Sequence, residues 1–295
     1  MLKAGAIVGE GGQACVLKPA LDGKNNHVTK IESQFSAITE TEISYFLSTR
    51  DPKGHFGIYS LTKMPNCRIN ASKIVIDEGA LKYRPSKDES KCRDIANRQK
   101  DSDGFEKKYC AFSMEAYTHD LDTIPDEPVK AIFRGIINLW DALEFFHSLD
   151  VIHGDIKLPN IAYRKKYSGK AEMFAFADWG WSARLKTSKE ADDQLRQMLK
   201  HRVYAADKEG IWAPYMWDTK ARRKYTAKQL LKYNDMYSLA LMTADLFRKL
   251  LRSKKIRDAD VREVLFQLND LLQYSDKHVG TSVGLAGERI RGLLF

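Results

Sequence analysis

The large apolar residues Ile132, Phe133, Ile136, Ile137, Trp140, Leu143 and Phe146 recur at helical intervals, and the stripe they form runs straight into VIHGDIKLPN at 151–160. A stripe that wide requires an amphipathic helix buried against a sizeable core. Asp126 and Pro128 mark its start, since proline is at home in a first helical turn. Where the buried helix ends, a histidine, an aspartate, a lysine and an asparagine crowd together. Polar residues after a helix usually form an ordinary turn, so the rest of the chain must decide between a turn and a site.

Beyond this point the pattern stays helical. Residues 235–251 are apolar enough for a helix buried on most sides, and a shorter helix is expected over 258–273. The first third instead holds short β-type runs, HVTKI and SKIVI, with one helical candidate and no repeat period. Residues 85–108 carry hardly any large apolar side chains and are expected to form a loop or insertion. The chain therefore reads as an α+β protein, a β-rich part followed by an α-rich part, and its 295 residues suffice for two such units.

No apolar run approaches the roughly 18 residues needed to cross a bilayer, and MLKAGAIVGEGG lacks the features of a signal peptide. An intracellular, cytoplasmic location without a membrane partner is expected. Cys15, Cys67, Cys92 and Cys110 show no CxxC pairing and no nearby histidine at metal spacing, so they are expected to be reduced thiols. A formal net charge of +9 favours anionic partners, such as acidic or nucleic-acid-associated proteins. No motif for direct nucleic-acid binding is present.

A second polar cluster gives the first its meaning. The strand-like run EMFAFA ends in Asp178, Trp179 and Gly180. Two aspartates and an asparagine at the ends of local elements can converge on metal and phosphate. Asp155 would accept a hydroxyl proton, Asn160 and Asp178 would offer oxygens to magnesium, and Lys157 would neutralise the phosphate in transfer. HGDIKLPN and DWG resemble the HRDxKxxN loop and DFG triplet of the protein kinase superfamily.

The resemblance extends upstream in the expected order. GEGGQACV at 9–16 is similar to the glycine-rich loop GxGxxGxV, with Gly9, Gly11 and Val16 in place, Gly12 between them, and Ala14 at the third glycine. Lys30 in HVTKI stands where the family's strand lysine pairs with the α- and β-phosphates. The following helix offers Glu40 and Glu42 as its partner; Glu42 is the expected one, because it shares a face with Ile38 and Tyr45. FSMEAYTHDL resembles the hinge, which implies Met114 as gatekeeper, Glu115 and Tyr117 on the adenine edge, and Asp120 at the ribose. In YNDMYSLALM, Asp235 would hold the catalytic loop from behind, a role compatible with that of an N-cap. His153 is read as a packing residue.

The resemblance covers most of the chain and implies a bilobed, protein-kinase-like fold, with an N-lobe at 1–117 and a C-lobe at 118–295. It implies ATP and magnesium or manganese as cofactors and transfer of the γ-phosphate to serine or threonine hydroxyls of proteins. In detail the motifs look most like serine/threonine kinases of large DNA viruses, with the vaccinia-related and casein kinase 1 groups as cellular relatives. A small-molecule kinase of the aminoglycoside or choline kinase type, or a pseudokinase binding module, is the alternative. Three departures stand out: Gly154 replaces the usual arginine, Trp179 the phenylalanine, and Tyr215 the glutamate of the APE motif.

Overall fold

The computed structural model describes residues 6–10, 14–18, 20, 24, 26–60, 65, 67, 109–117, 119–122, 128–164, 173–209, 213, 216, 218–273, 279 and 282–294. It is a mixed α+β chain that divides into two compact units: residues 1–54 with 58–116, and residues 55–57 with 117–295. The expected loop at 85–108 lies outside the described residues.

The first unit is built on an antiparallel sheet in the order β1 (Ala6–Glu10), β2 (Ala14–Lys18), β3 (His27–Ser33) and β4 (Tyr109–Glu115). In register, Val16 lies opposite both Gly9 and Lys30, and Lys30 opposite Phe112. Helix α1 (Gln34–Ser48) follows β3 at once, its first turn capped by Ser33, whose side chain accepts from the Ser36 amide. The face it buries is made of Ala37, Glu40, Thr41, Ser44 and Leu47, whereas Phe35 and Tyr45 are exposed. Small residues allow the helix to lie close to the sheet, and this sets the phase that decides which glutamate points inward.

The expectation of free thiols is overturned. Cys67 and Cys110 form a disulfide across 43 residues of sequence, and Cys15 is disulfide-bonded as well. Spacing alone cannot reveal a bond between one cysteine on a strand and another far from it in sequence. In the chain-entropy view, closing a loop of this length stabilises the folded state by about 4 kcal/mol.

The second unit is mainly helical. Its β-elements are β5 (His119–Asp120), β6 (Val151–Ile152), β7 (Ile161–Arg164), β8 (Met173–Phe176) and β9 (Ala183–Arg184). They pair as β5-β7-β8 and as β6-β9. The stripe that opened the sequence becomes α2 (Val129–Ser148), with Ile132, Ile136, Leu139, Trp140, Leu143 and Phe146 buried. Gly135 is required by its surroundings: a Cβ there would lie 2.5 Å from the Phe174 ring of β8. After β9 come α3 (Ser188–Glu209), α4 (Thr219–Lys224), α5 (Ala227–Arg252), α6 (Asp258–Leu272) and α7 (Val283–Leu294). A Thr226–Gln229 capping box starts α5, eight residues before the expected helix at 235. No helix among the described residues is long and apolar enough to cross a membrane.

Candidate functional site

Within the first unit, Lys30 lies inside the sheet, with its ammonium 2.5 Å from Glu40 Oε2 and 3.2 Å from Glu32 Oε2. All three side chains are buried. The helix partner is thus Glu40; Glu42 lies exposed on the other side of α1. The reason is the phase described above: Ile38 and Tyr45, which share a face with Glu42, belong to the outward half of the helix. A lysine held between two carboxylates in a dry sheet is a fixed charge, and removing either partner would leave a buried charge uncompensated.

Of the glycine-rich stretch, Gly9 lies in β1 opposite Val16, and Ala14 begins β2; Gly11 and Gly12 lie outside the described residues. In the hinge-like stretch, Met114 is buried in β4, Glu115 ends that strand, and Tyr117 is largely exposed. Asp120 accepts from the Asp122 amide in a local turn.

The second unit gathers Asp155, Lys157 and Asn160 around one carboxylate. Asn160 Nδ2 donates to Asp155 Oδ2 and to the Asp155 carbonyl, both at 2.8 Å, and Lys157 Nζ lies 3.2 Å from the same Oδ2. One cationic and one amide donor clamp one oxygen of Asp155, and among the described residues Oδ1 receives no hydrogen bond. Burial pushes the Asp155 carboxyl above its usual range, while the Lys157 charge works against that rise. Because the Asn160 amide nitrogen is committed to two acceptors, its Oδ1 remains for a further partner.

The loop bearing these residues is fixed from behind by buried Asp235 of α5. Its Oδ2 accepts the His153 amide at 2.7 Å and its Oδ1 the Gly154 amide at 2.9 Å. His147 Nε2 contacts the same carboxylate at 3.3 Å. His153 is fully buried, and burial lowers its pKa, so the ring is neutral. Its Nε2 donates to the Ala177 carbonyl at 3.0 Å, which leaves Nδ1 to accept the Asp155 amide at 3.3 Å. The histidine is a brace, not a base.

Asp178 follows β8 in a left-handed backbone conformation with φ of 62°, a strained choice for a residue other than glycine. Trp179 is fully buried, 4.9 Å from Phe146 and 4.8 Å from His153 between ring centroids. The larger ring therefore fills the aromatic core behind the loop. Gly154 has φ of +80°, and a Cβ there would lie 2.6 Å from the Trp181 carbonyl oxygen. An arginine at this position is sterically excluded, which gives that departure a local cause.

Sequence reasoning missed several supports. Asp150, also left-handed with φ of 56°, is bonded by Lys228 at 2.7 Å and Lys232 at 2.9 Å. Burial raises its pKa, but the two lysines outweigh burial and hold the carboxyl below its usual range. Ser182 is buried and donates to the His153 carbonyl, so its hydroxyl is committed. Asn234 accepts the Ala213 amide at 2.9 Å; Tyr215 lies outside the described residues. An apolar pattern does not announce polar residues used as struts inside a helix.

Of the basic residues, Lys186, Lys189, Arg196 and Lys200 are exposed, with Arg196 paired to Asp193; Lys220, Arg222, Arg223 and Lys224 on α4 are exposed as well. The side chain of Arg202 lies outside the described residues.

No protein-family model matches the chain, and no curated protein matches its sequence.

Proposed function

We propose that this chain is an ATP-dependent protein kinase of the bilobed kinase fold, transferring the γ-phosphate to serine or threonine hydroxyls of proteins. The observation that carries the reading is the Asp155 carboxylate, one oxygen clamped by Asn160 and Lys157 and the other left open as a proton acceptor.

In this reading Asp155 orients the attacking hydroxyl and takes its proton, and Lys157 stabilises negative charge building on the transferred phosphoryl group. Asn160 Oδ1 and the Asp178 carboxylate form a hard oxygen donor set of the kind magnesium or manganese prefers. The metal would supply charge neutralisation along the phosphates. Lys30, fixed by Glu40, would hold the α- and β-phosphates beneath the glycine-rich stretch, and Met114, Glu115, Tyr117 and Asp120 would line the nucleoside end. The basic surface of α4 favours acidic protein substrates over basic ones.

Purified protein incubated with labelled ATP and magnesium, offered casein, a basic protein and small aminoalcohols in parallel, tests the reading. Label on casein supports it. Label on an aminoalcohol instead identifies a small-molecule kinase, and no transfer with retained nucleotide binding identifies a binding module.

A further inference from the structure

Two disulfide-bonded cysteines stand on either side of β3 at the place where it carries its charges. Cys15 on β2 lies opposite Ile31, and Cys110 on β4 lies opposite Glu32. Lys30 is the next residue along the strand, and Glu32 is one of its two carboxylate partners. Among the described strands of the four-stranded sheet β4 is the last, paired along its length with β3. Among the described residues, its other side meets Ser60, through a bridge to Met114 and through the Ser60 hydroxyl donating to the Ser113 carbonyl at 3.3 Å, and Cys67, through the bond to Cys110. A covalent tie on a strand raises the free energy of its local opening.

The two sulfurs are not equivalent. Cys110 is fully buried, whereas Cys67 is partly exposed. An external thiolate therefore reaches Cys67 first.

We propose that Cys67–Cys110 is a thiol–disulfide exchange site whose oxidised form sets the strand that presents Lys30. A cellular dithiol would be its reductant. One thiolate of the dithiol attacks Cys67 Sγ, forming a mixed disulfide and expelling Cys110 as a thiolate that takes up a proton. The second thiol of the dithiol then closes that molecule's own disulfide and releases Cys67. Two electrons and two protons pass from the dithiol to the protein. Reduction removes that covalent tie from β4 and loosens β3 with it. The effect on nucleotide binding rests on the kinase reading above; the effect on the strands does not.

The test treats the oxidised, folded protein with dithiothreitol under native conditions. Alkylation by iodoacetamide, peptide mass mapping, and amide hydrogen exchange follow. Before reduction, neither Cys67 nor Cys110 is expected to be labelled. After reduction both are labelled, amides of 27–33 and 109–115 exchange at least tenfold faster, and amides of 151–156 remain as protected as before. Cys67→Ser, which leaves Cys110 as a buried thiol, should show the fast exchange without reductant, separating this bond from the one made by Cys15. ATP affinity, measured by equilibrium dialysis, should fall at least fivefold on reduction. Labelling of Cys67 in untreated protein, or resistance to dithiothreitol until the whole chain unfolds, would overturn the proposal. Unchanged exchange in 27–33 after reduction would overturn it too. Absence of ATP binding in both redox states would reject the kinase reading, with the exchange data still deciding the fate of the disulfide.

Discussion

The two units hold a lysine–carboxylate pair in opposite ways. In the β-unit, Lys30, Glu32 and Glu40 are all desolvated, and the pair depends on the strand and helix around it staying in place. In the helical unit, Lys157 and Asp155 remain partly open to solvent, and rigidity comes from the backbone instead, through Asp235, His153 and Ser182. A buried pair is a fixed charge whose loss of one partner damages the fold. A half-open pair on a braced loop can lose one partner at less cost to the fold.

The contrast breaks first at Asp155. Asp155→Asn keeps the Asn160 contact geometry but removes the proton acceptor, so turnover should fall by roughly 10²- to 10⁴-fold while the melting temperature stays put. A comparable loss of melting temperature would show that the residue braces the loop instead. In the β-unit the balance reverses. Glu40→Gln should destabilise the fold by about 3 kcal/mol in urea titration, as expected when one partner of a buried ion pair is removed. Asp235→Ala should cost about 2 kcal/mol, because it strands the His153 and Gly154 amides in a dry interior.

A pH profile sharpens the comparison further. Burial places Asp155 above the ordinary carboxylate range, so the acid limb of kcat/KM should lie above that of a free aspartate. Lys157 lowers that value, so Lys157→Ala should move the limb to still higher pH. The linked effect on stability has a definite sign. A folded-state pKa above the unfolded one gives a contribution present in acid and lost as pH rises through the folded value. Asp150, held down by Lys228 and Lys232, behaves oppositely: its contribution is present above the unfolded pKa and fades as pH falls through the folded one. The smallest effect belongs to Glu42→Gln, within about 0.5 kcal/mol of the parent, since that side chain faces solvent.

Large, periodic apolar faces made much of the helical unit legible from sequence: α2 carries its stripe inward as its spacing requires, and the apolar run after Asp235 lies within α5. The polar cluster at 153–160 is visible as a local crowding of polar residues, whereas the brace from Asp235, distant in sequence, is legible only through the resemblance of YNDMYSLALM to a family motif. Helix α1 resisted the same reading. Its buried face mixes Leu47 with small or polar Ala37, Glu40, Thr41 and Ser44, while Phe35, 64% exposed, and Tyr45 lie outside, so the face shared by Ile38 and Tyr45 pointed to the wrong glutamate. Helix α3 is polar enough that no stripe stands out, yet Ala191, Leu195 and Met198 pack inward, and Thr187 with Glu190 forms its cap. The disulfide was illegible for a different reason: it joins residues 43 apart in sequence whose Cα atoms lie 4.0 Å apart only in the folded chain.

The backbone crossing at Gly154 has a mechanical corollary. Because residue 154 touches the carbonyl of Trp181, Ser182 grips His153, and His153 grips Ala177, the stretch bearing Asp155 and the turn bearing Asp178 are geared together. Neither aspartate can swing away alone. A displacement of the second turn would have to drag the Asp155 stretch along with it.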